Sequence, residues 1–284
     1  MRCIVFGATG YLGSKLVRAL AARGDEVLCV IRHSSSLSRL EDVRNRVQFC
    51  TAEDLTAQLS NGCAYDCMVN LACRYPRNSD SDADMFEANF NQPLRVFISC
   101  LKGGVKKFVT IGTGLPDTLN AYAMSKAKFA QVLSWYADQC RQKGTPITVC
   151  NVELENFYGE DEPTDRFLPG TVAKLKRNEK ILLTAGTQVR DFVYVEDVLT
   201  NLMAVMDSEN LPEYLDLPLG SGEGVSIRDL ITYLKELVKS DSELCFGAVP
   251  SRMNEPDSVA DRQKMEQYGL TVRYGWKDGM KTFL

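Results

Sequence analysis

The sequence predicts an α/β fold with a doubly wound parallel sheet that carries helices on both faces. Apolar runs of strand length recur through the first half of the chain, at Cys3–Phe6, Val27–Ile31, Val47–Cys50, Cys67–Leu71, Phe108–Ile111 and Ile147–Val152. Helix-length stretches lie between several of them, notably Tyr11–Arg23, Ala83–Leu101 and Tyr122–Arg141. Because a strand, a helix and a second strand normally form a right-handed crossover, we expect the strands to run parallel.

The alternation of strands and helices loosens after about Asn156, where prolines divide shorter segments. We therefore expect a sheet domain over residues 1–156 and a smaller domain over most of 157–284. A segment around 188–205 is expected to return to the sheet domain.

The composition is that of a globular protein of 284 residues, 45% of them hydrophobic and 25% charged. The formal net charge of −4 argues against a nucleic-acid partner, because phosphate backbones require a basic surface. No apolar run approaches the roughly 20 residues of a membrane helix. The N-terminal "MRCIVFG" lacks the apolar core of a signal peptide, so a cytoplasmic protein without a membrane partner is expected.

The ten cysteines lie mostly within apolar runs, where cysteine behaves as a small hydrophobic residue. Reduced thiols are the simplest account of them. The one cluster, Cys63, Cys67 and Cys73, has neither paired C-x-x-C spacing nor nearby histidines, so no metal site is expected.

The stretch "GATGYLG" follows the first predicted strand and opens the first predicted helix. In that context backbone N–H groups and the helix N-terminus can face a pyrophosphate. Gly7 would allow the turn, Gly10 the approach of phosphates, and Gly13 close packing of the helix. The residues assigned here to a dinucleotide are Gly7, Thr9, Gly10, Tyr11, Leu12 and Gly13. A strand-to-helix turn that binds nothing is the alternative.

The end of the second strand indicates which dinucleotide is bound. An acidic residue there commonly holds the ribose 2′-hydroxyl of NAD, whereas arginine suits the 2′-phosphate of NADP. Ile31 occupies that position, Arg32 follows it, and Ser34 and Ser35 add hydroxyl donors. NADP is therefore the expected cofactor, with a merely solvated Arg32 as the alternative. His33, the single histidine, lies in the same loop, so proton transfer must come from another residue type.

The stretch "NAYAMSKAKF" places Tyr122 and Lys126 one helical turn apart on the same face. Tyrosine has an ordinary pKa of about 10, and a neighbouring ammonium group stabilises its phenolate. Such a pair can exchange a proton with a carbonyl or hydroxyl group while a nicotinamide exchanges hydride. Upstream, "FVTIGTG" brings Thr113 to the same edge of the sheet, where its hydroxyl could bond a substrate oxygen.

Six motifs in chain order resemble those of the extended short-chain dehydrogenase/reductases that act on nucleotide sugars. They are "GATGYLG", "VNLAC", "FVTIGTG", "YAMSK", "NFYGEDEP" and "RDFVYVEDV", and "SRMNEPDSVA" extends the match over nearly the whole chain. The resemblance implies a seven-stranded Rossmann sheet with a smaller C-terminal substrate-binding domain. Many such enzymes pair through two helices of the sheet domain, so a homodimer is expected.

The resemblance also implies a role for each matching residue. Tyr122 would be the general acid, Lys126 would hold the nicotinamide ribose, and Thr113 would orient the sugar oxygen. Other cofactor contacts would come from Leu71, Ala72, and Glu53 or Asp54. The residues that would face the nucleotide sugar are Arg74, Tyr75, Glu155, Asn156, Phe167, Arg190 and Arg252. The last two would grip the diphosphate, because arginine binds phosphate oxygens in a bidentate manner.

Departures from the family pattern separate the possible reactions. Dehydratases of the family carry Asp-Glu directly after the catalytic threonine, whereas Gly114 and Leu115 follow Thr113 here. Reductases that also epimerise use a cysteine and a histidine, but Gly114 stands at the cysteine position. Simple reduction of a keto-sugar and C4 epimerisation with retained NAD are left, and the expected NADP favours reduction.

The C-terminal half, with "NFYGEDEPTDRFLP" and "FGAVPSRMNEPDSVA", most resembles the CDP-abequose and CDP-paratose synthase group. This implies NADPH-dependent reduction of the 4-keto group of a nucleotide-linked, in particular CDP-linked, deoxy- or dideoxyhexose. Such sugars serve surface polysaccharides such as O-antigen. An NAD-retaining C4 epimerase is one alternative, and a non-catalytic dinucleotide-sensing regulator is another. Glu153 stands where the family often has arginine.

Overall fold

The computed structural model describes residues 1–60, 64–76, 80–250 and 256–284. Within them the chain divides into two compact units. The first comprises Met1–Glu153 and Leu202–Leu217, and the second comprises Leu154–Asn201 and Pro218–Leu284.

The described residues form twelve strands and ten α-helices. The strands are β1 (Arg2–Phe6), β2 (Glu26–Ile31), β3 (Gln48–Thr51), β4 (Cys67–Asn70), β5 (Lys107–Ile111), β6 (Thr148–Leu154), β7 (Asn156–Tyr158), β8 (Ile181–Leu183), β9 (Val189–Tyr194), β10 (Tyr214–Leu219), β11 (Gly224–Ser226) and β12 (Leu244–Phe246). The helices are α1 (Tyr11–Arg23), α2 (Leu55–Ser60), α3 (Asp82–Phe86), α4 (Gln92–Lys102), α5 (Ala121–Gln142), α6 (Phe167–Lys176), α7 (Val195–Asp207), α8 (Ile227–Leu237), α9 (Arg262–Gln267) and α10 (Trp276–Phe283).

The first unit is built on a seven-stranded sheet in the order β10-β6-β5-β4-β1-β2-β3. Parallel pairing runs from β1 through β2 to β3 on one side, and from β1 through β4 and β5 to β6 on the other. The strand order reverses between β1 and β4, and ligands of such sheets bind outside the carboxyl ends of the strands at this switch point. The predicted Rossmann-like α/β fold is thus confirmed.

The central strands are hydrophobic because both faces of the sheet are covered. Cys3, Ile4 and Val5 of β1 have no exposed surface, and all four residues of β4 are buried. Helix α1 packs with fully buried Leu16 and Val17 and ends at Gly24. The φ of 92° at Gly24 lies in the left-handed region, which closes the helix with a residue that has no Cβ.

The helix predicted over Ala83–Leu101 contains an irregularity that the sequence analysis did not foresee. Helices α3 and α4 are joined by a π-helical turn, Glu87–Asn91, in which the Gln92 N–H donates to the Glu87 carbonyl. Pro93 has no N–H to donate to the carbonyl four residues earlier, so the regular α-helical pattern is interrupted at this point. Such turns occur frequently at functional sites.

The segment that rejoins the first unit is 202–217, whereas the sequence analysis expected 188–205. Residues Val189–Tyr194 stay in the second unit because β9 pairs there with β7 and β11. The end of α7 leads instead into β10, the edge strand of the large sheet. The second unit has its own hydrophobic core, which includes Tyr158, Phe192, Tyr194, Leu230 and Ile231.

The cysteines that the structure describes are all free. Those in the strands of the seven-stranded sheet are buried as expected of small hydrophobic residues, and burial raises the pKa of the Cys3 thiol to about 12. Cys73 is exposed, and Cys63 lies outside the described residues. None of the helices in the described ranges is long and apolar enough to cross a membrane.

Glu162 is a nearly buried carboxyl group in the loop between β7 and α6. Its Oε1 atom lies 4.0 Å from Nε of Arg166, and its Oε2 atom has no hydrogen-bond partner among the described residues. Burial raises the pKa of this group from 4.5 to about 7. The folded protein therefore holds a proton that the unfolded chain releases between those two values, and stability falls as the pH rises through that range.

Replacing this carboxyl group by an amide removes the cost of ionising it. We expect the free energy of unfolding of Glu162→Gln, measured with urea, to rise relative to that of the wild type as the pH increases. The difference should grow by up to about 3 kcal/mol between about pH 5 and about pH 8. Glu266→Gln, at an exposed position on α9, is the control and should show no such pH dependence. A constant difference between Glu162→Gln and the wild type across this range would contradict the assignment.

Candidate functional site

The glycine turn joins β1 to α1 at the switch point of the sheet. The φ of 85° at Gly7 favours glycine, and a Cβ there would lie 2.5 Å from the Ala72 backbone nitrogen. A Cβ on Gly13 would lie 2.1 Å from the Gly7 carbonyl oxygen. The roles predicted for Gly7 in the turn and Gly13 in close helix packing therefore have a direct steric basis.

The N-terminus of α1 fits a dinucleotide pyrophosphate. Gly10 is the N-cap, with a φ of −70° and no side chain to satisfy the first N–H groups, and the first turn carries no acidic residue. These N–H groups and the positive end of the helix dipole are therefore left for an anion. Tyr11 and Leu12 are buried and Thr9 is partly so. Tyr11 and Leu12 would accordingly contact a cofactor mainly through their backbone.

The ends of β2 and β3 carry the groups predicted to select the dinucleotide. Arg32 is exposed, and its guanidinium makes no hydrogen bond or ion pair with any residue in the described ranges. Ser34 is also exposed, whereas Ser35 accepts a hydrogen bond from the Arg32 N–H at 3.1 Å. After β3, the Asp54 carboxylate accepts from the Thr51 hydroxyl at 2.8 Å, and Glu53 is exposed.

The chain leaves β4 directly beneath the glycine turn. The Leu71 N–H donates to the Phe6 carbonyl at 2.8 Å, and the Ala72 N–H donates to Asn70 Oδ1 at 3.2 Å. Leu71 and Ala72 thus lie against Gly7. The Arg74 side chain points to Asp80 and donates to its carboxylate at 2.5 Å.

Helix α5 and the end of β5 hold the predicted catalytic residues. Tyr122 and Lys126 lie one turn apart and are 8% and 4% exposed. Lys126 Nζ donates to the Ile111 carbonyl, the last of β5, at 2.7 Å. Thr113 follows two residues later, and its Oγ1 accepts from the Leu115 N–H at 3.3 Å. The lysine therefore ties α5 to the strand that precedes Thr113.

A polar cleft of about 530 Å³ lies beside this set, within the first unit. Thr113 and Lys126 form one side of it, and Glu153 and Asp216 lie on β6 and β10. Asp216 Oδ1 accepts from Asn151 Nδ2 at 2.7 Å and from the Tyr214 hydroxyl at 2.8 Å. Glu153, the residue found in place of the family's arginine, thus lines the same cleft as Lys126.

The residues predicted to face a nucleotide sugar in the second unit are held by hydrogen bonds of their own. Arg190 is 7% exposed and donates from Nη1 to the Val189 and Pro256 carbonyls at 2.8 and 2.6 Å. Glu155 Oε1 accepts from the Ser258 hydroxyl at 2.7 Å, and Asn156 Nδ2 donates to the Asp191 carbonyl at 3.3 Å. Phe167, the first residue of α6, is exposed rather than part of the core. Arg252 lies outside the described residues.

The sequence analysis missed the group that organises this part of the second unit. The Asp191 carboxylate is fully buried and accepts from the Ser221 N–H and hydroxyl, the Gly222 N–H and the Ala260 N–H, at 2.6 to 3.2 Å. It thereby joins two loops to β9 next to Arg190. Asp191 lies in the motif "RDFVYVEDV", which could have drawn attention to it. Its hydrogen-bond donors are too distant in the sequence to be recognised as its partners from the sequence alone.

The comparisons with known proteins agree with this geometry. Residues 3–217 match the model of the NAD dependent epimerase/dehydratase family. The chain belongs to this family, the extended short-chain dehydrogenase/reductases. Its fold and its motifs therefore have the same origin as those of enzymes that carry out NAD(P)-dependent chemistry on nucleotide sugars.

Curated relatives match over almost their whole length. CDP-abequose synthase of Salmonella typhimurium is 26% identical over 99% of this chain and 96% of its own. GDP-L-fucose synthase 1 of Arabidopsis thaliana is 24% identical over 98% of this chain and 90% of its own. Among solved structures, UDP-glucose 4-epimerase of Thermotoga maritima with UDP-glucose has a TM-score of 0.83 at 22% identity, covering 100% of this chain and 97% of that one. At that identity the likeness shows the fold alone.

The glycine turn yields a prediction that separates packing from cofactor binding. Gly13→Ala should lower the free energy of unfolding by roughly 1–3 kcal/mol, because its Cβ meets the Gly7 carbonyl. Gly10→Ala, where a Cβ lies 3.3 Å from the Gly7 oxygen, should change stability less but weaken dinucleotide binding. Urea unfolding and nicotinamide fluorescence measure the two effects. Equal stability of Gly13→Ala and the wild type would refute the packing role.

Proposed function

We propose that this protein uses NADPH to reduce the 4-keto group of a nucleotide-linked deoxy- or dideoxyhexose, with CDP as the nucleotide carrier. The proposal is supported by the nearly buried Tyr122–Lys126 pair, which the Ile111 carbonyl ties to the end of β5. It is further supported by the full-length similarity to CDP-abequose synthase. By analogy with such relatives, the product would serve a surface polysaccharide such as O-antigen.

In this mechanism Tyr122 delivers the proton. Its hydroxyl would donate to the 4-keto oxygen of the sugar, and the Thr113 hydroxyl would hold the same oxygen in place. An ammonium group has three donors, of which Lys126 uses one on the Ile111 carbonyl. The others would serve the nicotinamide ribose and stabilise the Tyr122 phenolate electrostatically. Bound NADPH would supply the hydride.

The groups that flank Thr113 favour reduction over dehydration. Gly114 and Leu115 follow Thr113 in the rim of the cleft and carry no acid or base. A dehydratase needs such a pair to remove water from the sugar. The reaction proposed here therefore stops at transfer of one hydride and one proton.

The second unit is proposed to bind the nucleotide diphosphate. Arg190 and Arg252 are the proposed phosphate ligands, with Glu155, Asn156 and Phe167 as further contacts. In the structure Arg190 Nη1 supports the Pro256 carbonyl, only a few residues after Arg252. Arg74 and Tyr75 of the first unit are the other proposed substrate contacts.

The protein is also proposed to act in the cytoplasm as a homodimer that pairs through helices of the sheet domain. The exposed Trp135 on α5 is consistent with this pairing, because tryptophan is enriched at protein–protein interfaces. Size-exclusion chromatography with light scattering would reveal a monomer if the pairing is wrong.

The test of the function is a panel of CDP-, dTDP-, GDP- and UDP-linked 4-keto-sugars incubated with NADPH. The absorbance of NADPH reports its oxidation. We expect this oxidation to be fastest with the CDP-linked sugar. No oxidation with any sugar would overturn the proposal. Purified protein that retains NAD and interconverts C4 epimers without consuming NADPH would identify a C4 epimerase instead.

Arg32 gives the prediction for cofactor choice. Arg32→Ala should raise the dissociation constant for NADPH about tenfold and leave that for NADH unchanged, because only NADPH carries the 2′-phosphate. The matched control is Arg44→Ala, because Arg44 lies in the short 3-10 helix Ser38–Arg46 and pairs with Glu41. If Arg32→Ala raised the dissociation constants of NADPH and NADH equally, Arg32 would not bind the 2′-phosphate.

Tyr122 gives the prediction for proton transfer. Tyr122→Phe should lower kcat at least about a hundredfold while NADPH binding persists, because only the proton donor is lost. Tyr233→Phe, which removes a hydroxyl that donates to the Lys277 carbonyl in the second unit, is the control. Turnover by Tyr122→Phe at the wild-type rate would refute the mechanism.

A further inference from the structure

The ring of Tyr75 lies on the ring of Tyr122. The two ring centroids are 5.4 Å apart and the ring planes are inclined by 23°, which is a stacked arrangement. Tyr122 is nearly buried, whereas Tyr75 is 43% exposed. Tyr75 thus forms the outer layer of a two-ring stack whose inner layer is the proposed general acid.

The segment that carries Tyr75 is held by two hydrogen bonds to the backbone of its middle residue. We call Cys73, Arg74 and Tyr75 the 73–75 segment. The Arg74 N–H donates to Asn89 Oδ1 at 2.8 Å, and Asn89 Nδ2 donates to the Arg74 carbonyl at 3.0 Å. Asn89 is buried within the π-helical turn. Because both backbone groups of Arg74 are held, its two neighbours are held against α5 as well.

The other neighbour of Arg74 contacts the reactive end of the phenol. Cys73 Sγ donates to the Tyr122 hydroxyl oxygen at 3.9 Å, a weak sulfur hydrogen bond. The 73–75 segment therefore contacts Tyr122 at its ring face through Tyr75 and at its hydroxyl through Cys73. Neither contact involves Lys126 or Thr113.

We propose that Tyr75 is a positioning residue for proton transfer by Tyr122. Its stacked ring keeps the Tyr122 phenol in one orientation and excludes water from one face of it. Proton transfer requires donor and acceptor within hydrogen-bond reach and in line, so a phenol free to tilt spends less time in the reactive geometry. The proposal rests on the proposed function, in which Tyr122 is the general acid.

The stack requires the ring of Tyr75 and not its hydroxyl. Tyr75→Phe keeps the aromatic face, whereas Tyr75→Ala removes it, so these two variants separate stacking from a hydrogen bond. The free energy by which two stacked aromatic rings stabilise each other corresponds to about a three- to tenfold change in rate. The exposure of Tyr75 indicates that neither variant disturbs the core.

The experiment measures kcat and KM of both variants with NADPH and the best keto-sugar of the panel. We expect Tyr75→Ala to lower kcat about three- to tenfold. Its affinity for NADPH should stay near the wild-type value, and Tyr75→Phe should restore the wild-type kcat. A rise in KM for the sugar beside the loss of kcat would reflect the proposed substrate contact of Tyr75. A loss confined to KM would show a substrate contact instead. Wild-type kcat in Tyr75→Ala, or a loss that phenylalanine does not restore, would also overturn the proposal.

A second measurement does not depend on turnover. Fluorine NMR of protein labelled with fluorotyrosine reports the Tyr122 ring, and its resonance is assigned by its disappearance in Tyr122→Phe. We expect this resonance to move and sharpen in Tyr75→Ala as the stacked ring is lost. If no keto-sugar is reduced but the resonance moves, the function proposal alone fails. If the resonance stays unchanged, the positioning role fails whichever reaction the protein catalyses.

Discussion

The architecture of the first unit depends on the contact between Gly13 and Gly7. No side chain separates α1 from the turn after β1, and none separates that turn from the backbone that leaves β4. Any Cβ at either glycine would push α1, β1 and β4 apart. Because β1 and β4 form the centre of the sheet, this contact determines where the sheet's carboxyl edge can receive a dinucleotide. Arg32, Leu71 and Ala72 reach that edge only because the three elements approach so closely.

The part of the site that holds Tyr122 and Lys126 is arranged by a different kind of contact. Lys126 is buried, and a polar group away from water needs polar partners. The Ile111 carbonyl provides one at the end of β5, which places the ammonium group beside the turn that carries Thr113. Asn89 plays a comparable part on the other side, where it fixes the 73–75 segment. Hydrogen bonds to backbone groups thus determine where the proposed catalytic side chains lie.

The sequence predicted the fold and the steric roles of the glycines in the turn after β1, because both depend on local patterns. Helix α1 has the predicted bounds, and Gly7 and Gly13 meet the steric demands inferred from their spacing. The π-helical turn was missed because one extra residue in a helical turn hardly changes the hydrophobic periodicity of the sequence. The four donors of Asp191 were missed because they lie 30 to 69 positions away in the chain. Stacking of Tyr75 on Tyr122 was missed for the same reason, since such contacts depend on tertiary packing.

The connection from β5 to α5, residues 112–120, has a further consequence for how the site can change. It is short and forms one edge of the polar cleft that Glu153 and Asp216 also line. Loop-closure entropy grows slowly with length, and doubling a flexible loop costs only about 0.6 kcal/mol. Insertions at this connection can therefore reshape or fill the cleft at little cost in stability, while β5 and α5 keep Thr113, Tyr122 and Lys126 in place. The shape of the cleft can in this way change independently of the placement of these three residues.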